Sequence, residues 1–218
     1  MKNAMRCAKC QKGFDAPWSL RYNRFAISDR CPDCLPQYEL EDNMWSWVPV
    51  MAMPEEFRAT EVSRLPQSLQ NTINKDHFVN ARSLLLHGPT GLGKTRAAWK
   101  ILEKWWVNNG GPDLMIYTMR KLQNELEESH DKGKHSKLIN NIISTPMLFL
   151  DDLGKEKLTP RLSADLFAIV DERSVNRRPC LITTNFNSSG IMERFPDSEM
   201  GAAFVRRLKD YYEVIGTA

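Results

Sequence analysis

Apolar and polar positions over residues 83–218 follow two alternating periods. Short, nearly unbroken apolar runs predict strands that are buried on both faces. They occupy residues 84–86, 114–118, 147–152, 179–184 and 212–215. Between them, apolar residues three or four positions apart predict helices. These lie at residues 96–106, 121–128, 138–143, 160–170 and 202–211. Strands and helices in this alternation predict a three-layer α/β fold with a parallel five-stranded sheet.

Capping residues and polar stretches mark where some of these elements end. Thr159 followed by Pro160 predicts a helix start, because a hydroxyl can cap the first amides and proline suits the first turn. The apolar stripe of that helix is Leu162, Leu166, Ile169 and Val170. Residues 130–137 are polar and basic, which predicts a loop. A further helix is predicted from about Pro66 to Lys75.

The stretch between residues 36 and 65 is punctuated by prolines and is acidic near its start. This composition predicts a linker followed by an arm that lies on the main domain. Trp45 and Trp47 are interpreted as anchors packed on a surface, with a partner site as the alternative. The chain therefore divides into residues 1–40, a linker and arm at 41–65, and a main domain at 66–218.

A glycine-rich loop between the first predicted strand and helix fits the pattern G-x-x-x-x-G-K-[ST]. Its residues are Gly88, Pro89, Thr90, Gly91, Leu92, Gly93, Lys94 and Thr95. Backbone N–H groups in such a loop point inward, and the helix N-terminus adds partial positive charge. Lys94 can reach the β- and γ-phosphates of ATP, and the Thr95 hydroxyl can ligate Mg²⁺. The sequence therefore predicts a P-loop that binds ATP and Mg²⁺.

Two carboxylates end the predicted strand at residues 147–152, and an amide follows the strand at 179–184. Carboxyl ends of parallel strands meet at one edge of a sheet, where the phosphates lie. We expect Asp151 to hold Mg²⁺ and Asp152 to orient and polarise the attacking water. If the two strands are neighbours, Asn185 can hold the same water or touch the γ-phosphate.

Four cysteines form two pairs near the start of the chain, at Cys7 and Cys10 and at Cys31 and Cys34. Two C-x-x-C knuckles predict a tetrahedral Zn²⁺ site, which would stabilise a segment too short to fold alone. Two disulfides are the alternative, which a reducing compartment disfavours. A redox C-x-x-C is the other, and it needs no second copy. Cys180 lies in an apolar run and is expected to be a buried small hydrophobe.

The role of this cysteine-rich segment stays open at the sequence level. Basic residues alternate there with Phe14, Trp18, Tyr22 and Phe25. Such a pattern can contact nucleic acid. The aromatic residues can equally form the module's own small core, or the surface can dock a protein. We favour docking or packing over direct contact with DNA.

The composition narrows the class of protein. The 218 residues have room for one ordinary domain and a small extra one, and 42% are hydrophobic, which is enough for a core. A net charge of +3 gives no general argument for nucleic acid, so local basic patches must provide one. No apolar run approaches bilayer length, and residues 1–5 do not resemble a signal peptide. We therefore expect a cytoplasmic protein with reduced thiols and no membrane partner.

The order of motifs over residues 50–218 resembles AAA+ ATPases of the bacterial helicase-loader type, the DnaC and DnaI family. It is similar as well to the IstB transposition helper ATPases. Four segments carry this resemblance: the P-loop, Leu148–Gly154, Ile182–Asn185 and Val205–Leu208. The Asp-Asp-Leu-Gly ending of the second segment is typical of this group, as is a zinc-bearing N-terminal domain in some loaders.

The resemblance implies roles for single residues. Lys94 and Thr95 correspond to the Walker A motif, and Asp151 and Asp152 to Walker B. Asn185 corresponds to sensor I. Arg207 matches the arginine finger, the residue that reaches the γ-phosphate of a neighbouring subunit. Here Arg206 stands where the family has serine, so either arginine can be the finger, and a solvated helix face is the alternative for both.

The resemblance also implies partners. A finger that acts between subunits implies a head-to-tail ring or spiral, here with an ATPase domain that lacks a full C-terminal lid. Residues 120–137 lie where members of the group carry an extra helix facing single-stranded DNA. The positive charges of this segment are Arg120, Lys121, Lys132, Lys134 and Lys137. A solvent-facing charged helix and loop is the alternative.

Three functions follow from these observations. The first is an ATP-dependent loader that assembles on single-stranded DNA and delivers a replicative hexameric helicase through the zinc module. The second is an IstB-like transposition helper that marks or bends duplex DNA. The third is an ATP-sensing scaffold with little hydrolysis, since Asp152 is one methylene shorter than the usual glutamate. The zinc module favours the loader.

Overall fold

The computed structural model describes residues 4–6, 13–15, 53–75, 77–78, 82–109 and 113–216. Near the start, β1 (Ala4–Arg6) pairs antiparallel with β2 (Gly13–Asp15), with Ala4 opposite Asp15. The four N-terminal cysteines and the tryptophans at 45 and 47 lie outside the described residues, so the predicted zinc site and surface anchors stay predictions.

A parallel five-stranded sheet forms the centre of the described part of the main domain. Its strands are β3 (Ser83–His87), β4 (Leu114–Thr118), β5 (Met147–Leu153), β6 (Cys180–Thr184) and β7 (Tyr212–Gly216). Their spatial order is β4-β5-β6-β3-β7, and all neighbours run parallel. The strand β6 therefore lies between β3, which leads into the P-loop, and β5, which ends in the two acids. The five predicted strands are confirmed.

Eight α-helices are described around the strands. They are α1 (Glu55–Arg58), α2 (Gln67–Asn74), α3 (Lys94–Asn108), α4 (Met119–Asp131), α5 (His135–Ser144), α6 (Pro160–Val175), α7 (Ser188–Met192) and α8 (Ser198–Tyr211). A 3₁₀ turn at Val62–Arg64 joins α1 to α2. The predicted start of α6 is confirmed: the Thr159 hydroxyl accepts a hydrogen bond from the Leu162 amide at 3.2 Å, and Pro160 is the first helical residue.

Alternate residues of each strand enter two separate cores, which makes the fold three-layered. Leu84 and Leu86 pack with residues of α2 and α3 on one face of the sheet. Leu85 packs on the other face, together with residues of α4 to α8. Burial on both faces explains the unbroken apolar runs of the inner strands, whereas the edge strand β7 alternates between buried and exposed residues.

One predicted segment is wrong, and two short helices were not predicted. The predicted loop at residues 130–137 is wrong, because α4 continues to Asp131 and α5 begins at His135. Gly133 adopts φ +64 in the short turn between them, and the Lys134 amide donates to the Ser129 carbonyl at 2.7 Å. Polar, basic residues are compatible with helix, so composition alone did not indicate a loop here. The short helices α1 and α7 were not predicted.

The arm before α2 packs on the main domain. Met53 and Leu65 are buried in the same core as α3, and Phe57 stacks on Trp99 with ring centroids 6.1 Å apart. The division of the chain at residues 65 and 66 stays a prediction, although this contact puts residues 53–65 against the P-loop helix.

A fully buried arginine, Arg173 of α6, anchors α5 to the start of β6. Its guanidinium donates to the carbonyl oxygens of Ile142 at 2.7 Å, Thr145 at 2.7 Å and Pro179 at 2.7 Å. It also donates to the Ile143 carbonyl at 3.1 Å and to the Cys180 sulfur at 3.1 Å. The carbonyls of Ile142, Ile143 and Thr145 lie at and just beyond the C-terminus of α5, the negative end of the helix dipole. Cys180 is a buried free thiol, as predicted.

None of the described helices combines the length and apolar character needed to cross a membrane.

Candidate functional site

The glycine loop leaves β3 at Gly88 and enters α3 at Lys94, as the motif predicts. Gly91 adopts φ +88, and an added Cβ there would meet no heavy atom within 4 Å. Gly93 adopts φ +83, and its Cβ would lie 2.5 Å from Leu65 Cδ2. The loop thus combines a backbone suited to glycine with open space on one side and a packed leucine on the other. This cradle fits a polyphosphate.

Lys94 lies inside the loop and is 6% exposed. Its Nζ donates hydrogen bonds to the carbonyl oxygens of Gly88 at 2.8 Å and Pro89 at 2.7 Å. Burial lowers the pKa of Lys94 from its ordinary value, and the charges of Asp152 and Asp151 act in the opposite direction. The lysine and the two acids are therefore close enough to interact electrostatically, as expected for a phosphate site.

Asp151 joins three parts of the fold at the end of β5. Its Oδ1 accepts a hydrogen bond from the Thr95 hydroxyl at 2.9 Å and another from the Thr183 hydroxyl at 2.5 Å. Burial raises the pKa of the Asp151 carboxyl, the two hydroxyl hydrogen bonds lower it, and Asp152 raises it. The predicted pair of Mg²⁺ ligands, Thr95 and Asp151, is thus in direct contact.

Asp152 follows in an unusual backbone conformation. Its φ is +61, and the pairing of β5 with β6 shifts register between Leu150 and Leu153. Its amide donates to the Thr183 hydroxyl at 3.0 Å, and its Oδ2 lies 3.2 Å from Lys155 Nζ. The irregular strand end turns this second acid away from the regular direction of β5.

Asn185 comes directly after β6, the strand that pairs with β5. The strands β5 and β6 are therefore neighbours, as the predicted role of Asn185 requires. Asn185 is half-buried, and the Phe186 amide beyond it donates to the Thr184 hydroxyl at 3.1 Å. Its contact with a water or a phosphate stays a prediction.

A cavity of about 660 Å³ opens beside the loop. Thr60, Leu65 and Pro66 line one side of it, and Leu92 and Arg96 line the other. Its position next to the phosphate cradle suits a nucleoside. The segment before α2 therefore borders the place where a base would lie.

The two arginines of α8 differ in their surroundings. Arg207 Nε forms an ion pair with Asp171 of α6, and its guanidinium lies 5.7 Å from the centre of the Tyr211 ring. Arg206 is exposed on the same helix. Arg207 is thus bound within its own chain, while Arg206 faces outward.

The basic segment at residues 120–137 forms the helix pair α4 and α5. Lys132 Nζ lies 2.5 Å from a Glu128 oxygen, and burial lowers the pKa of Lys121, which the neighbouring Glu125 opposes. Arg120, Lys134 and Lys137 are exposed, in the company of the acids of α4. The positive charge of this surface is therefore partly compensated.

His130, His135 and Asp165 form a second group of potential metal ligands, with ligand atoms within 4.8 Å of one another. The two imidazole rings stack with centroids 3.5 Å apart and planes at 20°. A ring nitrogen binds a metal through a lone pair in its ring plane, so nearly parallel rings do not converge on one ion. Arg161 also donates to His130 Nδ1 at 2.7 Å. We interpret the group as a set of hydrogen bonds and a ring contact that joins α4, α5 and α6.

Sequence reasoning missed Thr183, although it lies in the same short segment as Asn185. Only the side-chain amide of Asn185 stands out in this segment, because a threonine inside an apolar strand is ordinary. No sequence signal indicates that its hydroxyl faces the two acids. Asp171, the ion-pair partner of Arg207, was missed as well, because an aspartate on a helix is also ordinary.

Comparisons with known proteins identify the family of the chain. A model of the IstB-like ATP binding protein family matches residues 43–218. An ATP-binding protein from an insertion sequence of Mycobacterium tuberculosis is 24% identical over 155 residues, which are 71% of this chain and 61% of that protein. The replicative helicase loader DnaI of Bacillus subtilis is 26% identical over 128 residues, 55% of this chain and 38% of that protein. The chain spans about half the length of the curated relatives it matches.

A solved structure shares the fold. The crystal structure of the DnaC helicase loader superposes with a TM-score of 0.63 at 20% identity, and covers 76% of this chain and 100% of that chain. At this level of identity the similarity shows that the fold is the same and leaves the cellular role open.

Proposed function

Since the chain belongs to the IstB-like ATP binding protein family, we propose that it is a Mg²⁺-dependent ATPase that loads a replicative helicase onto DNA. The observation that supports the ATPase is the meeting of Thr95, Asp151 and Thr183 at a single carboxylate oxygen. These residues come from the P-loop, β5 and β6. Their contact brings a phosphate cradle and a pair of acids to one edge of the sheet.

The residues of the chain suit the separate tasks of hydrolysis. The P-loop amides and Lys94 bind the β- and γ-phosphates of ATP, and Thr95 and Asp151 hold Mg²⁺. Bound Mg²⁺ supplies positive charge to the phosphate oxygens. Asp152 orients and polarises the attacking water, and Asn185 holds it from the neighbouring strand. The bond from the γ-phosphorus to the bridging oxygen breaks as the water oxygen attacks, which yields ADP and phosphate.

We assign the arginine finger to α8, acting on ATP bound by an adjacent copy in a head-to-tail ring or spiral. Arg207 is the residue that the family motif indicates. If Arg207 is the finger, its ion pair with Asp171 must open. If the exposed Arg206 is the finger, the ion pair of Arg207 holds the helix in place while Arg206 extends to the neighbouring subunit. The two possibilities are separable by experiment.

The surface of α4 and α5 is our proposed contact with single-stranded DNA. Arg120, Lys134 and Lys137 are exposed and can reach phosphates. The compensating acids on α4 suit weak binding by one subunit that becomes effective only when several subunits line up.

The N-terminal cysteines are proposed to bind Zn²⁺ in a module that contacts the helicase. Support comes from β1 and β2, whose backbones pair on either side of Cys7 and Cys10. Two such C-x-x-C pairs supply the four thiolates of a tetrahedral Zn²⁺ site. The module would occupy residues 1–40, ahead of the arm and the ATPase domain.

Two measurements on the full chain test the proposal. ATP hydrolysis should require Mg²⁺, should rise with single-stranded DNA, and should be lost in Lys94→Ala and Asp152→Asn. Affinity capture with the replicative helicase of the same source should retain the chain in the presence of ATP. Capture that fails both with the full chain and without residues 1–45 would remove the loader role but leave the ATPase intact. Appreciable hydrolysis that Asp152→Asn abolishes would exclude a scaffold that only senses ATP.

A second candidate is an ATPase that assists a transposase on duplex DNA. The specific observation in its favour is the similarity to insertion-sequence ATP-binding proteins. The motor residues would be the same in both cases. Preference for duplex over single-stranded DNA of equal length, with ATP present, would favour this second role.

A further inference from the structure

Thr183 is placed to control the geometry of both acids. It lies on β6 between β3 and β5, and it is 1% exposed. Its hydroxyl donates to Asp151 Oδ1 at 2.5 Å and accepts from the Asp152 amide at 3.0 Å. One hydroxyl has a single proton to donate, so this proton is committed to Asp151 and a lone pair is committed to Asp152.

The hydrogen bond from the Asp152 amide to the Thr183 hydroxyl holds a strained part of the backbone. Asp152 has φ +61, a left-handed conformation that L-residues avoid and that aspartate and asparagine tolerate better than most. At this point the ladder between β5 and β6 loses its register. A side chain on β6 therefore supplies the partner that the regular ladder does not give to the Asp152 amide.

The left-handed conformation of residue 152 also affects which acidic side chain suits this position. The chain has aspartate where AAA+ ATPases usually have glutamate. A short side chain in a left-handed turn starts from a different direction than a longer one on a regular strand. The backbone, held by Thr183, can thus compensate for the missing methylene by turning the carboxylate.

We propose that Thr183 is a positioning residue that holds the Mg²⁺-binding Asp151 and the water-orienting Asp152 in their working geometry. This proposal rests on the ATPase function proposed above. Thr183 acts through the two acids, because its hydroxyl is engaged with Asp151 Oδ1 and with the Asp152 amide. Its loss should therefore leave ATP binding nearly intact and slow the chemical step.

Steady-state hydrolysis and nucleotide binding by the full chain test this assignment. Thr183→Val removes the hydroxyl at nearly constant volume, and Thr183→Ser keeps it. We expect Val to lower kcat roughly 10–100-fold, because the positioning of a general base is worth about 10²–10⁴ in rate. The KM for ATP and the affinity for a fluorescent ATP analogue should change less than about threefold, and Ser should restore most of kcat.

Thr72→Val is the matched control. Thr72 is also a buried threonine, 2% exposed, and its hydroxyl donates to the Ser68 carbonyl at 2.7 Å within α2. Its loss should change stability without a selective effect on kcat. If Thr183→Val retains the kcat of the unaltered protein, or if Thr183→Ser is as slow as Val, the assignment is wrong. Should Val not fold, Thr183→Ala takes its place beside Ser.

Amide hydrogen exchange separates this proposal from the ATPase function. The Asp152 amide should exchange at least tenfold faster in Thr183→Val than in the unaltered protein or in Thr183→Ser. This readout does not depend on turnover. If the protein hydrolyses no ATP but the amide behaves in this way, the function is wrong and the hydrogen bond is real. Unchanged exchange in Val would refute the positioning role even in an active enzyme.

Discussion

Replacing Arg173 by methionine should cost a large share of the free energy of unfolding. The side chain is fully buried and has no carboxylate partner among its five hydrogen bonds. Its acceptors are backbone carbonyls and a thiol. Methionine would fill much of the volume but would leave these carbonyls in a dry interior. Replacing a buried ion pair by apolar groups can be neutral, but here the partners cannot be removed with it.

The size of the effect depends on which carbonyls have another donor. The Ile143 carbonyl keeps a hydrogen bond from Arg178 at 2.8 Å, and the Pro179 carbonyl keeps a long one from the Leu148 amide at 3.4 Å. The Ile142 carbonyl has no such reserve within its helix, because residue 146 is proline and has no N–H. Two buried carbonyls, those of Ile142 and Thr145, would lose their partner. At about 1–3 kcal/mol each, the cost is about 2–6 kcal/mol.

Urea unfolding followed by tryptophan fluorescence measures this cost. Arg206→Met is the control, since an exposed arginine on α8 should change stability by less than about 0.5 kcal/mol. Arg173→Lys should fall between the two, because it keeps the charge but not the planar fork. A loss of less than about 1 kcal/mol in Arg173→Met would refute the argument that the guanidinium is the principal donor to the end of α5.

Three further predictions concern other parts of the chain. Of the two variants Arg207→Ala and Arg206→Ala, the one that by itself loses ATP hydrolysis identifies the finger. Mixing that variant with an Asp152→Asn subunit, which still carries both arginines, should restore part of the hydrolysis, and no recovery would contradict a finger that acts between subunits. Partial burial, and then the charges of His135 and Arg161, lower the pKa of His130, so protons bind more tightly to the unfolded chain. The free energy of unfolding should therefore fall as pH drops through about 6.5, and less so in His130→Gln. Metal analysis should find one Zn²⁺ per chain, lost in Cys7→Ser; a chain without zinc would contradict the four-cysteine module.

Much of the fold followed from local patterns. The runs at Leu114–Thr118 and Met147–Leu153 are apolar because both faces of these strands are covered, which is a strong signal in any sequence. The P-loop and the acids were recognisable for a different reason. Phosphate chemistry requires particular residue types at a fixed spacing, so the contact between Thr95 and Asp151 could be expected before it was seen.

The remainder depends on contacts between distant segments. Thr183 and Arg173 look like ordinary residues of a strand and a helix, and only the packing of β6 against β5 and of α6 against α5 gives them partners. The left-handed Asp152 is likewise a product of the register shift. The error at residues 130–137 was of another kind: charge was taken as a sign of loop, whereas a glycine turn closes a pair of helices there.

The position of β3 has a consequence for how the chain is made. This strand lies between β6 and β7 and pairs Ser83 with Tyr212, so its two neighbours are the last strands to be synthesised. At about 5–20 residues per second, on the order of 10 s pass between the appearance of β3 and that of β7 at the ribosome. Until β6 emerges, the strand before the P-loop has neither of its neighbours to pair with, and its run of leucines is exposed to chaperones or to misassociation. The nucleotide cradle therefore follows the first strand of the five-stranded sheet to be translated, but both neighbours of that strand are made last.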